Sequence, residues 1–167
     1  MEILKASPSD LVEVMFLVRE CVIQMNADGM KQWNSAYPSP QMLQEEIENG
    51  NLYLAKEMGV ARGLLTITDK IPESYKDIKW SDKGTKVLYI ELLAVHPNWQ
   101  GKGITKMLLD YANSFAKENN YDTIRTGLLS EHPLIKRLIE NDTFEKTGEY
   151  YSVYQKTPYQ SFEKNVS

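Results

Sequence analysis

The chain is poor in the residues from which metal centres and disulfide frameworks are built. It holds one cysteine, Cys21, and two histidines, His96 and His132. A lone thiol cannot close an internal disulfide, which points to a reducing compartment. Two histidines without ligand spacing exclude a zinc site, and no metal is expected. Positive charge is also in short supply: 19 Lys and Arg stand against 23 Asp and Glu, a net charge of −4, and no basic cluster offsets it. Nucleic acid is therefore not an expected partner. No apolar run approaches membrane-spanning length. Met1 to Lys5 lacks the apolar core of a signal peptide. The expectation is a cytoplasmic protein with no membrane partner. Repeats and low-complexity segments are absent as well. A chain of 167 residues suits a single domain, expected over residues 1–157, with 158–167 as a polar tail.

What is present centres on residues 87–106. Val87 to Val95 is an apolar run broken by one charge, Glu91, and closed by Pro97; Gln100-Gly101-Lys102-Gly103 follows, and a helical pattern starts at once. A buried strand that turns through glycines into a helix N-terminus makes an anion cradle. The first N–H groups of the helix have no intrahelical acceptor, and the macrodipole adds positive potential there. Glycine lets the backbone approach a ligand without a Cβ in the way. The stretch reads as a pyrophosphate site.

The spacing separates three kinds of glycine loop. Gly101 and Gly103 do not fit Gly-x-x-x-x-Gly-Lys-Ser/Thr, and Lys106 stands where a dinucleotide fingerprint needs its third glycine. The pattern that remains is Gln-x-x-Gly-x-Thr after Val95-x-Pro97. It resembles motif A of the GNAT superfamily of acyl-CoA-dependent N-acyltransferases, with Thr105 in place of the usual Gly or Ala.

The rest of the chain is ordered as that resemblance requires. Ile3 to Ala6 reads as an edge strand. Ser7-Pro8-Ser9-Asp10 reads as a helix start, followed by apolar residues at 11, 14, 15, 18, 21, 22 and 25. Cys21 lies on that face and is read as core. A loop with Trp33 and Tyr37 leads to a short helix from Ser39-Pro40. Two strands flank Met58-Gly59 as a hairpin. The polar segment from Lys70 to Gly84, with Tyr75 and Trp80, is long for a loop in a compact domain and reads as functional or mobile. After the central strand come a helix from Ile104, a strand from Thr123 to Leu128, a helix opened by His132-Pro133, and a last strand from Glu149 to Lys156. The fold class expected is α/β: a mixed, splayed sheet of six to seven strands flanked by about four helices, as in GNAT proteins. In that family acyl-CoA lies in the V between two strands, here Val87–Val95 and Thr123–Leu128.

The resemblance implies an acetyl-CoA-dependent N-acetyltransferase acting by direct transfer on a primary amine of a small molecule or peptide. It implies cofactor contacts from the backbone of Leu93, Ala94 and Val95, from the loop Gln100, Gly101, Lys102, Gly103, Ile104 and Thr105, and from His132, which takes the place of the family's helix-start Asn. Glu91, four residues before Val95, is the candidate proton acceptor. A carboxylate in an apolar strand must face a cleft or a partner, and its apolar neighbours should raise its pKa. The family's usual acid is a tyrosine, but Ile139 holds that position. Tyr150 is the candidate substitute, with Tyr151, Tyr154 and water as alternatives. Trp33 and Tyr37 either lid the core or, with parts of 70–84, wall the acceptor cleft; they are carried forward as acceptor-binding residues. A homodimer is compatible with all of this. The competing reading, favoured by the missing tyrosine, is a non-catalytic acyl-CoA-binding module on the same fold.

Overall fold

The structure is a computed structural model and describes residues 1–81, 83–151 and 158–166. Seven strands are joined in one hydrogen-bonded order: β1 (Glu2–Lys5), β2 (Leu52–Glu57), β3 (Val60–Thr68), β4 (Val87–Val95), β5 (Thr123–Leu129), β7 (Pro158–Asn165) and β6 (Glu145–Tyr151). β4 and β5 run parallel, while the β1–β2, β2–β3, β5–β7 and β7–β6 pairs are antiparallel, so the sheet is mixed. Four α-helices complete it: α1 (Leu11–Ala27), α2 (Pro40–Glu48), α3 (Ile104–Glu118) and α4 (Leu134–Glu140). This is the α/β architecture expected.

The chain divides into two compact units that share β4 and α3. The first comprises Met1–Ile67 and Leu92–Ala112. Its core gathers Val14, Leu17, Val18, Cys21 and Met25 of α1 with Leu43 and Ile47 of α2 and Leu52, Leu54, Leu64 and Leu92 of the sheet. The α1 residues recur every three or four positions, one face of a helix, and each buried Val, Leu or Met side chain contributes about 1.5–3 kcal/mol. At the helix entry, Asp10 Oδ2 accepts the Ser7 N–H at 2.8 Å and Asp10 Oδ1 is paired with Lys56 Nζ at 2.8 Å. The Lys56 ammonium first, and then the Ser7 N–H, hold the Asp10 carboxyl below its usual range. Ser39 Oγ caps α2 by accepting the Met42 N–H at 3.1 Å. The β2–β3 turn has Met58 at φ 50° and Gly59 at φ 77°, the left-handed pair of a two-residue hairpin. In β3 an added Cβ on Gly63 would lie 3.0 Å from Ile104 and 3.2 Å from Leu108. Glycine there lets the start of α3 lie directly on the strand.

The second unit comprises Thr68–Glu91 and Asn113–Ser167. β5 is buried along its whole length, and β7 pairs with it from Thr123↔Asn165 to Leu129↔Tyr159. Residues 158–165 are thus an inner strand where a polar tail was expected. The reason is a buried charge: Glu163 is 8% exposed because Arg125 of β5, also 8% exposed, lies 3.2 Å from it. Ser161 and Glu163 are buried polar positions, so the apolar alternation by which strands are recognised is missing. The last strand in register is β6, Glu145–Tyr151, and Tyr154 lies outside the described residues.

Candidate functional site

One candidate locus, in the first unit, is the turn from β4 into α3. Gly101 and Gly103 have φ of 77° and 83°, and an added Cβ on either would meet nothing within 4 Å. The first intrahelical bond of α3 runs from the Met107 N–H to Gly103 O at 3.1 Å. The N–H groups of Ile104, Thr105 and Lys106 precede it, and N–H groups of a first turn have no acceptor within the helix. Gln100 turns back: its Nε2 donates to Val95 O at 3.3 Å, which the Cys21 Sγ also approaches at 3.5 Å. Gln100 is therefore tied back to the strand end and shapes the loop. Burial pushes the Cys21 thiol up to about 12, so it stays a core thiol. Lys102 Nζ lies 4.4 Å from the centre of the Trp99 ring, and the Arg62 guanidinium lies 4.2 Å from the same ring. Lys106 is paired with Asp110 one turn on, at 2.6 Å. Ile104 is 1% exposed and anchors the helix start. Within β4, Leu93 is half-buried and Ala94 and Val95 are buried. These residues fit a CoA pyrophosphate: positive-φ glycines, first-turn N–H groups without intrahelical acceptors, and open space where a Cβ on either glycine would stand.

Another locus, in the second unit, surrounds Glu91, which is half-buried in β4. Glu91 Oε2 accepts from Ser74 Oγ at 3.1 Å. Tyr75, next to Ser74, donates to Ile90 O at 2.8 Å and accepts the Gly127 N–H at 3.0 Å. The parallel β4–β5 ladder runs from Val87↔Thr123 to Ile90↔Thr126, and Tyr75 Oη takes up the backbone groups at its end. Tyr150 stacks edge-on to Tyr75 at 6.4 Å and lies 5.3 Å from Tyr159. Its hydroxyl sits where a Cβ on Gly127 would be, 2.0 Å from the ideal position. Burial first, then Tyr75, Tyr159 and the Glu91 carboxylate, push the Tyr150 hydroxyl well above its ordinary range. Tyr75 is raised by burial and by Glu91; Tyr159 is pushed up to about 12 by burial.

The other expected residues fall elsewhere. Trp33 is 1% exposed and packed in the core of the first unit, so it is a lid rather than a cleft wall. Tyr37 is half-buried against the same core and closes a tight turn in which Asn34 Oδ1 accepts the Ala36 and Tyr37 N–H groups at 2.7 and 3.0 Å. A cavity of about 480 Å³ lies beside this turn, lined by Met15, Phe16, Arg19, Asn34, Pro38 and Leu43 among others. His132 caps the start of α4, its Nδ1 accepting the Leu134 N–H at 3.1 Å, and burial lowers its pKa from 6.5 to about 4. Ile139, at the family's tyrosine position, is 47% exposed. The segment 70–84 is pinned at several points. Tyr75 packs on Trp80 at 5.9 Å, Trp80 packs on Tyr89 at 6.3 Å, and Ser81 N–H donates to Glu163 at 2.8 Å. Ser74 and Arg62 were not anticipated; no local pattern marks them, since each acts through a partner distant in sequence.

No helix among the described residues is long and apolar enough to cross a membrane. The model of the acetyltransferase (GNAT) family matches residues 20–135. No curated protein matches the chain. Among solved structures, a GNAT-family acetyltransferase of Streptococcus agalactiae superposes with a TM-score of 0.80 at 18% identity, covering 98% of this chain and 94% of that one. The Salmonella typhimurium protein yncA, with its cofactor acetyl-CoA, gives 0.73 at 16%, over 100% and 94%. Ribosomal-protein-alanine N-acetyltransferase of Brucella melitensis gives 0.72 at 16%, over 99% of each chain. At these identities the likeness is one of fold.

Proposed function

Since the chain belongs to the GNAT acetyltransferase family, and is thereby an acetyl-CoA-dependent N-acetyltransferase, we propose that it transfers the acetyl group directly to the primary amine of a small molecule or peptide, with Glu91 as the proton acceptor. The observation that carries this reading is a carboxylate in a mostly buried strand, held by Ser74 Oγ at 3.1 Å. Acetyl-CoA supplies the acetyl group already activated as a thioester. The chain's task is to hold it, orient it and manage protons.

Main-chain N–H groups from Gly101 to Thr105 hold the pyrophosphate, and Lys102 adds charge from its place on Trp99. The backbone of Leu93, Ala94 and Val95 orients the acyl arm, with a strand N–H as donor to the thioester carbonyl. Ammonium groups titrate near ~10.4, so the acceptor must shed a proton before it attacks. Glu91 takes that proton, directly or through water, and attracts a cationic acceptor beforehand. Tyr150 acts as a hydrogen-bond donor to the departing sulfur. Its raised pKa keeps the hydroxyl protonated but makes it a weaker acid than a thiol of pKa about 8.5, so outright proton donation is uphill. The Brucella relative's name, a ribosomal-protein-alanine acetyltransferase, motivates including peptide N-termini among the acceptors to be tested. The single buried thiol, Cys21, suits a reducing, cytoplasmic setting.

Acetyl-CoA offered with polyamines, amino acids, aminoglycosides and short peptides, read by thiol release, identifies the acceptor. Glu91→Gln is expected to lower turnover by at least about 10², with acetyl-CoA affinity by calorimetry nearly unchanged. A loss confined to acceptor KM makes Glu91 a binding residue only; unchanged kinetics overturn its role. Gly103→Glu places a negative side chain at a left-handed position in the cradle. It is expected to abolish acetyl-CoA binding while leaving the unfolding transition in place.

A further inference from the structure

Ser74 and Tyr75 are consecutive residues of one 3-10 turn, Glu73–Tyr75. Their side chains meet β4 at adjoining points. Ser74 Oγ bonds the Glu91 carboxylate at 3.1 Å, and Tyr75 Oη bonds Ile90 O at 2.8 Å. The Ile90 carbonyl belongs to the peptide group that carries the Glu91 N–H, so the turn grips Glu91 at both ends, backbone and carboxylate. Thr126 Oγ1 donates to the same carbonyl at 3.0 Å, and the Gly127 N–H donates to Tyr75 Oη at 3.0 Å. The turn is itself fixed. Tyr75 is 3% exposed, its ring packs edge-on to Trp80 and Tyr150, and a few residues on Ser81 is tied to Glu163.

We propose that the 73–75 turn is the positioning element of Glu91, in which Ser74 orients the carboxylate and Tyr75 holds the peptide plane that precedes it. The proposal rests on the reading of Glu91 as the proton acceptor. A free Glu side chain spreads over many rotamers, and ordering it costs up to about 1.5–2 kcal/mol. A hydroxyl donor already in place meets that cost before the acceptor arrives and favours the charged form, the form that accepts a proton. The titratable groups facing Glu91 include, among the described residues, the Tyr75 hydroxyl from the turn and the Tyr150 hydroxyl from β6, with Tyr159 of β7 against both. Their raised pKa values keep these hydroxyls neutral. Through the neutral range the Ser74 hydroxyl is then a donor whose removal alters the carboxylate's titration without altering a neighbouring charge.

The test follows the carboxylate itself and needs no acceptor. In protein labelled with ¹³C at the glutamate carboxyls, the resonance missing from Glu91→Gln is that of Glu91. Ser74→Ala is expected to raise the midpoint of its titration by roughly half a pH unit or more, because a donor to the charged form is gone. Ser74→Thr keeps the hydroxyl and is expected to restore the midpoint. In Tyr75→Phe the Gly127 amide loses its acceptor and is expected to exchange about tenfold faster with solvent, while Leu54 and Leu64 amides keep their rates. An unchanged Glu91 midpoint in Ser74→Ala overturns the proposal. Turnover on the acceptor found by the panel separates the two readings. A slow Glu91→Gln beside an unaltered Ser74→Ala overturns the positioning role alone. A shifted midpoint beside a fully active Glu91→Gln overturns the proton-acceptor role and leaves the positioning role standing.

Discussion

Thr143 shows how one residue carries a conflict between sequence and backbone. Its φ is 58°, in the left-handed region that favours glycine. A β-branched residue pays about 1–2 kcal/mol to sit in the left-handed region, since its Cβ crowds the neighbouring carbonyl. The hydrogen bond from its Oγ1 to Asp142 O, 2.7 Å, offsets part of that. Thr143→Gly is expected to stabilise the protein by about 0.5–1 kcal/mol after the extra chain entropy of glycine is counted, a rise of about 1–4 °C in the unfolding midpoint. Thr143→Ala keeps the Cβ and is expected to give no gain. Differential scanning calorimetry on the pair decides; equal midpoints for both variants would show that the backbone there carries no strain. Glu91 is the opposite case, a residue whose exceptional character was plain from sequence because charge in an apolar strand has few innocent explanations.

At the scale of elements, β7 depends on a buried ion pair. Arg125 Nε and Glu163 Oε1 lie 3.2 Å apart with side chains 9% and 10% exposed, close enough to attract though not aligned as a hydrogen bond. Ser81 gives Glu163 a further N–H and an O–H, and Ser81 O accepts from Arg125 at 3.0 Å. Glu163→Gln leaves the guanidinium buried without its counter-charge. The expected cost is about 3 kcal/mol, seen as a lower urea midpoint at an unchanged slope. Replacing both partners, Arg125→Met with Glu163→Leu, is expected to cost less than the sum of the single changes, because no uncompensated charge remains. Strict additivity would mean the two side chains do not depend on each other.

For the whole molecule, acid is the stress that the titrating groups anticipate. His132 is lowered from 6.5 to about 4 by burial. The unfolded chain therefore takes up a proton near pH 6.5 that the folded chain refuses until about pH 4, so this group's share of stability is complete above 6.5 and falls away between 6.5 and 4. Asp10 and Asp122 are held low, Asp10 mainly by Lys56 and Asp122 mainly by the Lys86 N–H; their shares persist to lower pH and go as these carboxyls protonate. His132→Asn offers Oδ1 where Nδ1 now caps Leu134 and removes the titration. Urea unfolding at pH 7, 5.5 and 4.5 is expected to show a flatter decline in the variant, and parallel declines would dismiss His132 as the cause. The sequence alone determined the features that arise from neighbours in the chain. The glycine turn into α3 depends on backbone freedom at Gly101 and Gly103, the α1 face on a 3.6-residue period, and the hairpin on Met58-Gly59, all of them local. Only the tertiary structure decided what depends on contacts across the chain. Trp33 is packed in the core of the first unit, residues 158–165 are a strand in which Arg125 neutralises a charge that reads as surface, and Ser74 and Tyr75 meet Glu91 and Ile90 across 17 and 15 positions. Local patterns record backbone preference and solvent exposure, whereas a buried polar pair is stable only where its partner has been brought to it.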